Sequence, residues 1–209
     1  MNKLVGLFLK SRGARHVTRF CNSPRIKENN IAEHQYYVAL YTKLLCDYLQ
    51  INDEDTVDAI GYALIHDLHE GISIDIPQNV KRRTPSHSDG IESCAVHELG
   101  LNRAIPEVGM DIVKIADLLD ALIYSIEEVR MGNGFFYAPI AEIKGVLNDK
   151  VSEVDEKLFE AEIFCKRGAL IEFYHALLAH MDADKILTLP PDTKSMTHIH
   201  KGFRDGKPY

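Results

Sequence analysis

Two histidines and two aspartates, far apart in the chain, have the residue types of a divalent-metal shell: His34, the adjacent pair His66 and Asp67, and Asp117 or its neighbour Asp120. A lone histidine on an apolar face is usually a hydrogen-bonded core residue. The combination points elsewhere. Carboxylates inside a helical core carry a desolvation penalty of about several kcal/mol each, which a dication offsets while drawing their pKa values down. Mixed imidazole and carboxylate ligands that leave positions open suit Co(II), Mn(II) or Zn(II), with Mg(II) also admitted, better than a closed structural zinc. The expected cofactor is therefore one divalent transition metal.

Helices have to bring these residues together, because the apolar periodicity is helical nearly everywhere it can be read. From Asn30, a cap with Glu33 three positions on, His34 shares an inward stripe with Val38, Tyr41, Leu45 and Tyr48. A second helix, capped near Asp53 or Asp55, carries Val57, Ile60, Leu64 and Leu68 on one face and is expected to end at Gly71 in the left-handed conformation. His66, Asp67 and Glu70 then fall in its last two turns. A third helix follows Pro106, with Val108, Ile112, Ile115, Leu119, Leu122, Ile126 and Val129 on one stripe, and the GNG at 132–134 stops it. Asp117 and Asp120 lie off that stripe among Val113, Ala116, Ile123 and Tyr124, so this helix is expected at the centre. A last amphipathic segment runs from about Ser152 to Met181, and Pro190 and Pro191 open an extended arm. The expectation is an all-α helical bundle around a central metal site, one domain over 1–189 and an arm over 190–209. His198 and His200 in that arm read as solvated.

Composition narrows the function. With 45% apolar and 26% charged residues the chain has the make-up of an ordinary globular protein. A formal net charge of -7 argues against a nucleic-acid polymer as partner, which needs clustered Lys and Arg, but leaves room for a small anion in one basic pocket. No apolar run approaches the roughly 18 residues of a membrane span. The opening MNKLVGLFLKSRG reads as a first helix with no cleavage pattern, so the expected location is the cytoplasm. Cysteines at 21, 46, 94 and 165 show no metal-binding rhythm and read as free thiols.

The order H…HD…D, with the local text ENNIAEH, ALIHDLHEGISIDIP and KIADLLDALIYSIEEVRMGNG, resembles the HD-domain 5'-deoxynucleotidases and their phage relatives, the dATP triphosphohydrolases. The resemblance covers roughly residues 12–135, and the run from Arg19 through Pro77 is its most specific part. It implies that His34, His66, Asp67 and Asp117 are metal ligands, that Glu70 and Asp75 are the acid-base carboxylates, and that Arg19 clamps phosphate. The family's spacing from this aspartate to Glu127 and Glu128 is what favours Asp117 over Asp120. The chemistry agrees with these roles. Glu70 lies one helical turn after His66, Asp75 sits in a turn closed by Pro77, and Arg19 can fork two phosphate oxygens while Lys81 adds a point charge. Phe20 stands where many relatives carry Trp, and the chain has no Trp, so base contact falls to a smaller ring.

The function expected from the resemblance is hydrolysis of a small deoxynucleotide at the α-phosphate. The leading expectation is dATP to deoxyadenosine and triphosphate, because the aromatic after the clamp, the text AEHQYYVAL and the ADLLDAL helix look closer to the phage members, and because Lys81, Arg82 and Arg83 can serve a longer anion. The alternative is a 5'-deoxynucleotidase acting on monophosphates. Hydrolases of guanosine polyphosphates or cyclic nucleotides, and a non-catalytic metal or nucleotide sensor, are weaker readings. The relatives also imply a homo-oligomer, with the long C-terminal helix as a candidate interface, and, for a phage-encoded enzyme, the host cytoplasm.

Overall fold

In the computed structural model, helix α2 (Ile31–Tyr48) begins as its sequence requires. The Asn30 side-chain oxygen accepts the Glu33 N–H at 3.0 Å, which satisfies one of the amide groups a helix leaves open at its start. Its inner face buries Ile31, His34, Gln35, Val38, Thr42, Leu45 and Cys46. The structure describes residues 2–73, 75–76, 81, 83–99, 105–163 and 167–183. Pro77, Arg82, Cys165, and the 190–209 arm with His198 and His200, lie outside them.

Helix α1 (Asn2–Ser11) runs into a 3-10 turn at Arg12–His16. Helix α3 (Asp53–Ala63) is capped by Asn52, whose side chain accepts the Asp55 N–H at 2.9 Å, and not by Asp53 or Asp55. Those two acids and Glu54 occupy the first turn, where negative charge complements the helix dipole.

The expected length of this helix is corrected. It ends at Ala63 and not at Gly71, and His66 and Asp67 sit in the tight turns that follow. The cause is visible in the side chains. The Nδ1–H of His66 donates to the Ala63 carbonyl at 2.7 Å, and His69 Nδ1 lies 3.0 Å from the His66 carbonyl, so imidazoles take acceptors that a continuing helix would give to backbone amides. Backbone bonds there shorten to three-residue spacing, as in Leu68 to Ile65 and Glu70 to Asp67. Helix α4 (Glu70–Ser73) follows, with Gly71 inside it. Gly71 serves close approach: a Cβ at Gly13 would stand 2.9 Å from the Gly71 carbonyl oxygen, and one at Gly71 would stand 3.2 Å from the Ala14 amide. Beside this crossing Ala14, Ile31 and Leu68 form a small core with Leu7, Val17 and Ile65 against it.

Helix α5 (Pro85–Leu99) precedes the long apolar helix α6 (Glu107–Arg130). Along α6, Ile112, Ile115, Leu119, Leu122 and Ile126 are buried, and so are Val113, Ala116 and Tyr124 off the stripe, as expected of a helix apolar on most sides. It ends where Gly132 takes φ +97°, a left-handed position that favours glycine. Contacts divide the chain into two units. One comprises Met1–Ser23 and Lys27–Asp117, the other Pro24–Ile26 and the chain from Leu118 onward.

The second unit holds the C-terminal half of α6, a 3-10 turn at Gly134–Phe136, and helices α7 (Tyr137–Glu160) and α8 (Ala169–His180). The single segment expected from Ser152 to Met181 is thus two helices. The chain turns at Glu162 and Gly168, both left-handed, and the buried Asp155 carboxylate accepts the amides of Gly168 (2.7 Å) and Leu170 (2.9 Å), capping α8. Glu128, fully buried, accepts from the Ile26 amide (2.9 Å), the Tyr124 hydroxyl (3.2 Å) and the Asn133 side-chain amide (2.5 Å). Among the described residues there is no strand, only one isolated bridge between Thr18 and Asn30, and no helix is long and apolar enough to cross a membrane.

Candidate metal centre

Four local structures of the first unit supply the candidate residues. Helix α2 presents His34, the turn after α3 presents His66 and Asp67, α4 presents Glu70, and α6 presents Asp117. A short pairing of residues 17–19 with 29–31, through Arg19 N–H to Asn29 O (3.1 Å) and Ile31 N–H to Val17 O (3.1 Å), sets Arg19 beside the start of α2.

Ligand atoms of His34, His66 and Asp117 all lie within 4.8 Å of one another, and Asp117, not Asp120, is the aspartate in that group. His34 Nε2 is 3.3 Å from Asp117 Oδ1 and 3.4 Å from Asp67 Oδ2, and the same Asp67 oxygen is 3.4 Å from His66 Nε2. The structure thus brings together the four residues read from the sequence as ligands. Burial pushes the Asp67 carboxyl up, but the adjoining His66 imidazole and a hydrogen bond from His34 outweigh it and hold Asp67 well below the usual carboxylate range. For Asp117, burial is likewise outweighed, by the His34 hydrogen bond and the Lys114 charge. Both aspartates are anions at neutral pH, as cation ligands must be.

The donor set fits a dication. His66 gives its Nδ1–H to Ala63, which leaves the Nε2 lone pair facing the cluster, and among the described residues that buried Nε2 has no hydrogen-bond partner. His34 is set differently. Arg19 Nη1 lies 2.6 Å from His34 Nδ1, and a guanidinium can only donate, so Nδ1 accepts and Nε2 carries the proton between the two aspartates. Coordination through His34 Nε2 asks the ring to exchange tautomer and Arg19 to leave Nδ1.

Cations and acids ring the cluster. Arg19 Nη2 is 3.8 Å from Asp117 Oδ1, and the guanidinium stands 5.5 Å from the Phe20 ring centroid. Phe20 itself has φ +52°, a conformation that side-chain-bearing residues seldom take and that collects at functional sites. Lys81 Nζ is 3.9 Å from Glu70 Oε1. Glu70 is 5% exposed, its Oε2 is buried with no hydrogen-bond partner among the described residues, and its carboxyl is pushed up to about 9 by burial and then by the charges of Asp67 and Asp75. Burial also raises Asp75, against the opposing charge of Arg19, and Asp75 takes a hydrogen bond from the Phe20 backbone. Lys114 was not anticipated. Its ammonium lies 2.6 Å from Asp117 Oδ2, and only its position one turn before Asp117 signalled it.

Residues 13–98 match the family described as the HD domain. Among solved structures, the HD phosphohydrolase DatZ of cyanophage S-2L, bound to dA and one catalytic Zn2+ ion, is similar at TM-score 0.59 and 17% identity, over 82% of this chain and 96% of that one. An HD-domain phosphohydrolase of Listeria innocua is similar at TM-score 0.56 and 18% identity, over 93% and 98%. The PH0347 protein of Pyrococcus horikoshii matches at TM-score 0.56 and 24% identity, over 72% and 95%. No curated protein matches the sequence. Residues 13–98 thus carry the HD-domain match within an all-helical fold shared with these structures, and two imidazoles meet two carboxylates where α2, the turn after α3 and α6 come together.

Proposed function

We propose that this chain is a metal-dependent phosphohydrolase that cleaves a deoxynucleotide at its α-phosphate, with dATP as substrate and deoxyadenosine and triphosphate as products. One observation carries the reading: an anionic cluster of two aspartates and two imidazoles is bordered by the cations Arg19, Lys81 and Lys114 and by the raised carboxyl of Glu70. A site built only to hold a metal has no use for the last four. The dA and zinc ion named in the cyanophage structure support the choice of substrate and the ligand roles of His34, His66, Asp67 and Asp117.

His34, His66, Asp67 and Asp117 would hold a divalent transition ion, which when bound would supply Lewis acidity at the α-phosphate. Arg19 forks two phosphate oxygens, and Lys81 and Lys114 add charge where the transition state spreads it. The reaction forms one bond from water oxygen to the α-phosphorus and breaks the bond to the nucleoside 5'-oxygen. Asp75, with the Arg19 charge acting on it, takes the water proton. Glu70, which holds a proton at neutral pH, gives it to the departing 5'-oxygen. Phe20 stacks on the base.

The test is product analysis. Protein loaded with Co(II), Mn(II), Zn(II) or Mg(II) is incubated with ribo- and deoxynucleoside mono-, di- and triphosphates, and the products are separated. Deoxyadenosine with intact triphosphate is expected from dATP. Free phosphate from monophosphates alone would replace this reading by a 5'-deoxynucleotidase. Binding without turnover, unchanged in Glu70→Ala, would make the protein a sensor.

A further inference from the structure

Asn29 sits across from Arg19 on the short antiparallel pairing that closes the loop between them. Its carbonyl takes the Arg19 N–H at 3.1 Å, and the neighbouring Thr18 and Asn30 form the isolated bridge. Residues directly opposite on an antiparallel pair put their side chains on one face, with Cβ atoms about 5 Å apart. From that face Arg19 sends its guanidinium to His34, so the Asn29 carboxamide lies on the same side, beside the Arg19 stem. Asn29 is 6% exposed, and its Oδ1 is buried with no hydrogen-bond partner among the described residues.

Folded proteins seldom keep a buried carbonyl oxygen in that condition, because its lost hydration is not replaced. The oxygen only accepts, so phosphate oxygens, themselves acceptors, are no partner for it. What it needs is a donor, and the side chain opposite carries five N–H groups in a rigid fork. Here Arg19 Nη1 lies 2.6 Å from His34 Nδ1, and Nη2 lies 3.8 Å from Asp117 Oδ1. If His34 and Asp117 serve as metal ligands, Arg19 gives up both contacts and its guanidinium has to be held another way.

We propose that Asn29 is a positioning residue: its Oδ1 accepts the Arg19 Nε–H once the guanidinium has left His34, and so aims the two Nη groups at the substrate's phosphate oxygens. This rests on the phosphohydrolase reading, in which Arg19 binds phosphate. The reach is adequate. Nε is three bonds from its Cβ and Oδ1 two from its own, so across a gap of about 5 Å the two atoms meet with the backbone in place. A bond at the stem leaves both ends of the fork for the ligand and removes rotamer freedom before the ligand arrives, which lowers the cost of binding.

Titration calorimetry tests the proposal, with Co(II)-loaded full-length protein and a dATP analogue whose 5'-oxygen is replaced by methylene. Asn29→Leu keeps the branched shape and removes the polar atoms, and the analogue's affinity is expected to fall about tenfold. Asn29→Ser, too short to reach Nε, should lose as much without needing room for a larger side chain. Neither change should matter in Arg19→Met, which has no Nε to hold. Since the Asn29 oxygen has no partner to lose before Arg19 moves, Asn29→Leu in chelator should melt no lower than the parent. Unchanged affinity in both Asn29 variants overturns the proposal and leaves Arg19 as the clamp. So does an equal loss in the Arg19→Met background, which would assign the oxygen to a donor on the ligand, or a lowered melting temperature in both variants, which would give it a partner already. If Arg19→Met binds the analogue as the parent does, the clamp reading itself fails and the role of Asn29 goes with it.

Discussion

Replacing Glu70 by Gln should change how the stability of the metal-free protein responds to pH. Glu70 is almost wholly buried, has no hydrogen bond at Oε2 among the described residues, and has its carboxyl pushed up to about 9 from an ordinary 4.5, by burial first and by Asp67 and Asp75 next. The folded value lies above the unfolded one. The neutral carboxyl is therefore the form the fold favours, and its contribution is complete below about pH 4.5 and is lost as pH rises toward about 9. Within that window the loss is at most about 1.4 kcal/mol per pH unit. From pH 6 to pH 8 it amounts to up to about 2.7 kcal/mol, and with about 2–4 °C per kcal/mol for a chain of this size the melting temperature falls by roughly 5–10 °C. Gln keeps the shape and carries no titrating proton. Asp75, also raised, adds a slope of the same sign that remains in the variant, whereas Asp67 and Asp117, held low, lose their contribution only in acid, below their ordinary value of 3.8. Melting curves in chelator from pH 5 to 9 should show the parent falling away from Glu70→Gln as pH rises. Parallel curves would refute a buried, proton-holding Glu70.

His66→Ala should lower bound Co(II) or Zn(II), measured by elemental analysis after gel filtration, by at least about tenfold, because the lone pair left by the Ala63 bond is removed. Arg19→Met should act in opposite directions on two ligands: nucleotide affinity falls roughly tenfold to a hundredfold, while metal affinity by titration calorimetry rises, since His34 Nδ1 is released to carry a proton. A loss of both would contradict the tautomer argument. Gly13→Ala should destabilise the chain by about 1–3 kcal/mol in urea melts, because the new methyl group meets the Gly71 carbonyl at 2.9 Å with backbone on both sides; no change would mean the crossing is looser than drawn.

What could be read from the sequence is what depends on neighbours in the chain. The Asn30 cap, the start of α6 after Pro106 and its stop at Gly132 follow from local hydrogen bonding and φ preferences, and the stripe along α6 follows from helical period. The residue types of the metal shell were legible for the same reason, as imidazoles and carboxylates at apolar positions.

Tertiary structure decided the rest, because it depends on groups that come together only through folding or on side chains competing for one backbone carbonyl. Period alone carried α3 on to Gly71, but the His66 ring takes the Ala63 carbonyl and ends the helix early, which is what aims His66 and Asp67 at His34. Two aspartates three residues apart look alike in the text, and packing selects Asp117 as the one beside His34. Arg19 on the His34 ring and Lys114 on Asp117 likewise answer a local field that no single segment encodes. A charge finds its partner by distance in space, and the chain order does not state that distance.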